Sequence, residues 1–162
     1  MEFVGTNVFT YAHDRSAGDK HTAAVRLISR LFEDGTGAVS VQVLSEFYST
    51  AVGKLQMKSQ YAEEIVADLA GWLIHRSSHE DVPRASALFR RHKIGRWDAL
   101  LLNSALELGC STLWSEDFQH GRRIGSLTVR NPFLLCPPLC FCIQNKTLEK
   151  VLKLRNYCRL EQ

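Results

Sequence analysis

Short apolar runs alternate with amphipathic stretches from the first residues to about position 133, the pattern of an α/β domain built on a mainly parallel sheet. Glu2-Phe3-Val4 reads as the first strand. Ala24, Leu27, Ile28, Leu31 and Phe32 keep i, i+3, i+4 spacing, so a helix capped by Asp19 and stopped by Gly35 is expected. A short strand, Ala38-Val39, precedes a second helix that Ser40 begins, with Leu44, Phe47, Tyr48, Ala51 and Val52 on one stripe and Glu46 beside it. Helical patterns also fit residues 60–74 and 82–92, the latter with Pro83 in its first turn. Beyond Gly95, a helix starting near Trp97-Asp98 should bury Leu101, Leu102, Ala105 and Leu108 and end at Gly109. Ser111 to Ser115 and Leu127-Thr128-Val129 supply the closing strands.

The pattern stops at Phe133. The remaining segment holds Cys136, Cys140, Cys142 and Cys158, the Pro137-Pro138 pair and five basic against two acidic residues. Nothing in it completes the α/β alternation, so the expected organisation is a domain over 1–133 and an atypical extension over 134–162, a helix or disordered. The formal charge of +3 resides there as well, which leaves the first 133 residues neutral. Global charge therefore gives no argument for nucleic acid, whereas Arg90, Arg91, His92, Lys93 and Arg96 form a local basic cluster able to meet phosphates.

Other chemistry is easily narrowed. Leu134 to Ile143 is too short for the roughly 20 residues of a membrane span, and Met1-Glu2-Phe3 opens without a basic leader, so a cytoplasmic protein is expected. Cys136, Cys140 and Cys142 lack the second ligand pair that a zinc site needs. His75 and His79 have i, i+4 spacing and lie in a Ser-rich connector expected to be a solvated loop. Trp72, Trp97 and Trp114 are expected in the core rather than as platforms for nucleic-acid bases.

In open α/β sheets, sites form at the carboxyl ends of strands. Glu116 and Asp117 follow a strand there, Asp98 opens a helix and Glu46 borders the buried stripe of another. Any one of these acids has an ordinary structural reading, and Asp98 would serve as a helix-start charge. Together they offer the oxygen ligands that a hard divalent cation requires.

Thr6-Asn7-Val8 after a first strand, Gln42-Val43-Leu44-Ser45-Glu46-Phe47, Trp97-Asp98-Ala99-Leu100 and Ser115-Glu116-Asp117-Phe118-Gln119-His120-Gly121 resemble, in order, the motifs of PIN-domain ribonucleases of the VapC toxin type. Leu127 to Phe133 resembles that family's final strand, so the likeness covers residues 1–133. The resemblance implies a three-layer PIN-like α/β fold and a Mg²⁺- or Mn²⁺-dependent endoribonuclease, the toxin of a toxin–antitoxin pair, with an RNA substrate, a cognate antitoxin and a homodimer. It implies Glu46, Asp98 and Asp117 as catalytic metal ligands, with Thr6, Asn7 and Glu116 as auxiliary groups.

One station departs from the family. The expected Asp-Thr-Asn reads Gly5-Thr6-Asn7, so the first-strand acid is missing. Glu2 lies three positions back and should face the opposite side of the sheet, which leaves Glu116 as the best-placed substitute. The alternative is a PIN-fold module that no longer cuts RNA and still docks an antitoxin. A phosphotransfer α/β domain ranks below both, because it would need an aspartyl nucleophile where Gly5 stands.

Overall fold

The computed structural model describes residues 1–134. Six strands form one sheet: β1 (Glu2–Val4), β2 (Gly37–Ser40), β3 (Leu73–His75), β4 (Thr112–Trp114), β5 (Arg123–Ile124) and β6 (Leu127–Arg130). Their order is β3-β2-β1-β4-β6-β5, and all neighbours are parallel except the β5–β6 pair. Phe3 lies opposite Ala38 on one side and Leu113 on the other. Phe3, Val4, Ala38, Val39, Leu113, Leu127 and Val129 are buried, as expected of parallel strands covered on both faces.

The connections are helical: α1 (Thr6–His13), α2 (Asp19–Asp34), α3 (Val41–Gly53), α4 (Ser59–Asp68), α5 (Asp81–His92) and α6 (Arg96–Glu107). The chain steps outward from β1 to β2 to β3 and then returns across the sheet to β4. Right-handed crossovers put α1–α4 on one face and α5–α6 on the other, giving the expected three-layer α/β fold. The expected starts and stops hold at several ends. Ser40 accepts a hydrogen bond from Val43 N at 3.3 Å, and Gly35 takes the left-handed conformation that ends α2 (φ 63°).

Four local expectations need correction. Residues 60–74 are not one helix: α4 stops at Asp68, a 3-10 turn covers Leu69–Gly71, and Leu73–His75 pairs with β2 as an edge strand. The apolar rhythm of Ile65, Leu69 and Trp72 conceals this change. His75 accordingly is no solvated loop residue; its side chain is largely buried beside Asp81, 3.7 Å from it. Asp19 does not cap α2, since Gly18 occupies the N-cap. Trp97 is not in the core but 70% exposed, unlike the buried Trp72 and Trp114.

Asp81 fastens the return path. It is 3% exposed and accepts hydrogen bonds from Ser78 N at 2.7 Å and Asn103 Nδ2 at 2.8 Å. The Ser78 N–H, outweighing burial, holds its carboxyl below the usual range. This ties the start of α5 to α6 and so helps fix Asp98 against the sheet.

Candidate active site

The chain reverses direction across the sheet between β1 and β4, and the crevice beyond the carboxyl ends of such strands is where α/β folds place their sites. Gly5 N donates to Trp114 O at 2.9 Å, so the pairing continues one step beyond β1. The chain then turns into α1, presenting Thr6 and Asn7, while β4 runs on into Ser115, Glu116 and Asp117.

Hydrogen bonds join these stations. Thr6 Oγ1 donates to Glu46 Oε2 at 2.6 Å, and Gln42 Nε2, one turn earlier on α3, donates to Glu46 Oε1 at 2.8 Å. The same Gln42 amide reaches Trp97 O at 3.5 Å, which links α3 to the start of α6. Asn7 Nδ2 donates to Asp117 Oδ2 at 2.9 Å and to Ser115 Oγ at 3.2 Å; that hydroxyl also accepts from Asp117 N at 3.2 Å. Gln42 and Ser115 were not expected as partners. Gln42 has a sequence signal, its i, i+4 spacing to Glu46, but the role of Ser115 depends on a contact 108 positions away.

Asp98 stands in the first turn of α6 and is not the cap; Gly95 is, with no side-chain cap bond. The Asp98 carboxylate bends back over Gly95, where an added Cβ would lie 2.6 Å from Oδ2. A glycine there gives the carboxylate its room. Partial burial raises the pKa of Asp117, and the Asp98 charge raises it further, against the bonds from Asn7 and Ser115. Asp98 and Asp117 therefore share one electrostatic site.

Glu116 turns elsewhere. Lys20 Nζ donates to Glu116 Oε2 at 2.6 Å and to Tyr11 OH at 3.1 Å, and the Glu116 carboxylate holds the ammonium above its ordinary pKa. Glu2 is also committed, in a two-armed bond to Arg30 at 2.8 Å and an indole bond from Trp114 at 2.6 Å. Neither acid is free to replace the carboxylate missing at Gly5.

The structure thus brings Thr6, Asn7, Glu46, Asp98 and Asp117 to one end of the sheet, beyond the carboxyl ends of β1 and β4. Their donors are all oxygens, as a hard divalent ion prefers. Asn7 Oδ1 is buried with no hydrogen-bond partner, an acceptor that a cation would satisfy. Among the described residues, however, no three of His, Cys, Asp and Glu stand close enough together to hold a metal ion. The set fits such an ion in kind and falls short in number.

The charge arrangement predicts a pH effect. The folded-state pKa of Asp117 is raised, so folding is favoured while the carboxyl is protonated and loses that advantage as pH rises through the folded pKa. Asp117→Asn should raise the melting temperature of metal-free protein at pH 7 by about 1–2 °C, a small value because the group is partly solvated. The gap to the parent should close as pH falls below the carboxyl range. Thermal melts across pH check this, and a gap independent of pH would point to packing rather than charge.

A PIN domain family model matches residues 3–123, and the chain belongs to that family. Its fold is similar to that of VapC20 from Mycobacterium tuberculosis, a toxin that cleaves the sarcin-ricin loop, with a TM-score of 0.56 and 18% identity over 70% of this chain and 87% of that one. It is likewise similar to VapBC2 from Rickettsia felis, solved with a DNA fragment from their promoter, with a TM-score of 0.55 and 22% identity over 80% of this chain and 97% of that one. At these identities the likeness is one of fold. No curated protein matches the chain at a significant level.

Proposed function

We propose that this chain is a toxin-type endoribonuclease dependent on Mg²⁺ or Mn²⁺, weakened by the glycine at position 5. The observation that carries this reading is the hydrogen bonding of Thr6 to Glu46 and of Asn7 to Asp117 beyond the end of β1, beside the unpartnered Asn7 Oδ1. Asp98 and Asp117 would hold the ion weakly, with Glu46 drawn in as the third acid as the ion binds, since no three acids of the described residues stand within reach of one ion beforehand. When bound, such an ion supplies Lewis-acid stabilisation of the charge growing on a phosphodiester and acidifies the attacking water. Thr6 and Gln42 fix the Glu46 carboxylate through both of its oxygens, and Asn7 and Ser115 fix the loop that carries Asp117. The chain thereby pre-sets the orientation of its acids before substrate arrives. By family resemblance, the products carry a 5′ phosphate and a 3′ hydroxyl.

Of the two similar structures, one is a toxin that cleaves the sarcin-ricin loop and the other is VapBC2 bound to a DNA fragment from their promoter, which supports partners of these kinds. We assign this chain an RNA substrate, a cognate antitoxin, a second copy of itself and a cytoplasmic setting. No helix among the described residues is long and apolar enough to cross a membrane. The test is cleavage of a mixed RNA pool in Mn²⁺ against the same reaction in chelator, with Asp98→Asn as control. Metal-dependent cleavage that the control loses is expected; cleavage retained by Asp98→Asn would refute the assignment.

A second reading has an observation of its own. The lack of a three-acid group favours a module that docks its antitoxin without cutting RNA. Antitoxin binding without any metal-dependent cleavage would select it.

Residues 1–133 are proposed as the folding unit. Phe133 packs edge-on against Tyr11, with ring centroids 5.1 Å apart, and residues 135–162 lie outside the described residues. A chain truncated after Phe133 should keep a single cooperative thermal transition, and loss of that transition would move the boundary.

A further inference from the structure

The connection from α5 to α6 carries chemistry that the acid site does not use. Trp97 is the most exposed large apolar side chain among the described residues, at 70%, and it immediately precedes Asp98. Arg90 and Arg91 lie in the last turn of α5, Lys93 follows in the left-handed conformation (φ 51°), and Arg96 begins α6. Among the described residues, none of these four cations is paired with a carboxylate. Arg96 lies over the Phe89 ring, 5.8 Å from its centroid.

We propose that Trp97 is a stacking platform for an unpaired RNA base, with Arg90, Arg91, Lys93 and Arg96 meeting the phosphates on either side. This rests on the nuclease reading above and adds the residue that would hold an unpaired base beside the acids. An acidic site repels a polyanion, so a nuclease of this kind needs cations beside the acids, and this connection supplies them. Trp97 and Asp98 are consecutive in the first turn of α6, so a strand held on the indole passes close to the acid site. Base pairing would deny the indole a free face, which makes the platform selective for unpaired substrate.

Trp72 and Trp114 are buried, so Trp97 provides the solvent-exposed, red-edge part of the indole emission. The experiment uses the full chain in chelator, which prevents cleavage, with a fluorescein-labelled unstructured 12-nucleotide RNA and its duplex. Anisotropy gives affinity, and indole emission with unlabelled RNA reports stacking. Trp97→Ala should weaken single-strand binding roughly tenfold or more, given typical base–aromatic stacking strengths, and should abolish the red-edge quenching. Trp97→Phe should recover most of the affinity, and duplex should bind parent and Trp97→Ala alike. The side chain is exposed, so all three proteins should melt together. Equal single-strand affinity of parent and Trp97→Ala overturns the platform while leaving the nuclease reading intact. If Trp97→Ala instead changes only the sedimentation of the protein, the indole docks a second copy of the chain and the proposal fails. A parent that binds neither RNA overturns the platform, and the nuclease reading is then decided separately by metal-dependent cleavage.

Discussion

Gly5→Asp is expected to raise Mg²⁺- or Mn²⁺-dependent RNA cleavage at least about tenfold, which requires only about 1.4 kcal/mol of added transition-state stabilisation. The backbone at Gly5 is extended (φ −80°, ψ 162°) and accepts any L-residue. A Cβ there would lie 3.3 Å from Trp114 O, 3.4 Å from Ser115 Cβ and 3.5 Å from Ser115 Oγ. A shift of a few tenths of an ångström makes room for it. The new carboxylate would enter beside the Ser115 hydroxyl, which already joins Asn7 to the Asp117 loop, and so beside the two acids that repel each other. Like charge should lower the melting temperature of the metal-free variant slightly. Added metal should restore it, because a ligand that binds only the folded state stabilises that state. Equal cleavage by parent and variant would mean that another group already fills the position. No cleavage and no metal-dependent melting shift would mean that Glu46, Asp98 and Asp117 do not form the site.

The largest effect on stability is expected from Gly37→Ala. Gly37 begins β2, and an added Cβ there would lie within 2.5 Å of Cδ2, Cε2 and Cε3 of the Trp72 indole, far inside van der Waals contact. The indole has nowhere to retreat, being packed against Phe9 and Phe32 with ring centroids 5.8 and 5.0 Å away. Overpacking of this kind costs about 1–3 kcal/mol, which for a domain of this size lowers the melting temperature by on the order of 5–10 °C. A double-mutant cycle locates the cause: in a Trp72→Leu background the same change should cost much less. Equal costs in both backgrounds would place the strain in the strand itself.

The central strands and the long helices were legible because each repeats its apolar period over enough residues. Where an element is short, pattern reading fails. The helix Thr6–His13 buries only Val8, Phe9 and Ala12, too few positions to declare a period, and β5 has two residues. The edge strand Leu73–His75 continues a helical rhythm, and only its pairing with β2 makes it a strand.

The site divides in the same way. The positions of Asp98, at a helix start, and Asp117, after a strand, were legible from the pattern, and that of Glu46 from its motif; their service as metal ligands is a proposal. What each acid does was not legible. Glu116, proposed as a substitute ligand, is held by Lys20 from 96 positions away, a partnership that no local pattern encodes. The exposure of Trp97 was hidden for a similar reason: residue type favours the core, and only the packing of α6 turns this indole outward.

The most direct test of the central claim is a Mn²⁺ titration of the full chain, followed by calorimetry, for the parent and Asp98→Asn. The account predicts that the parent holds one ion weakly and that Asp98→Asn binds none in the same range. No binding by the parent, or equal binding by both proteins, would contradict it.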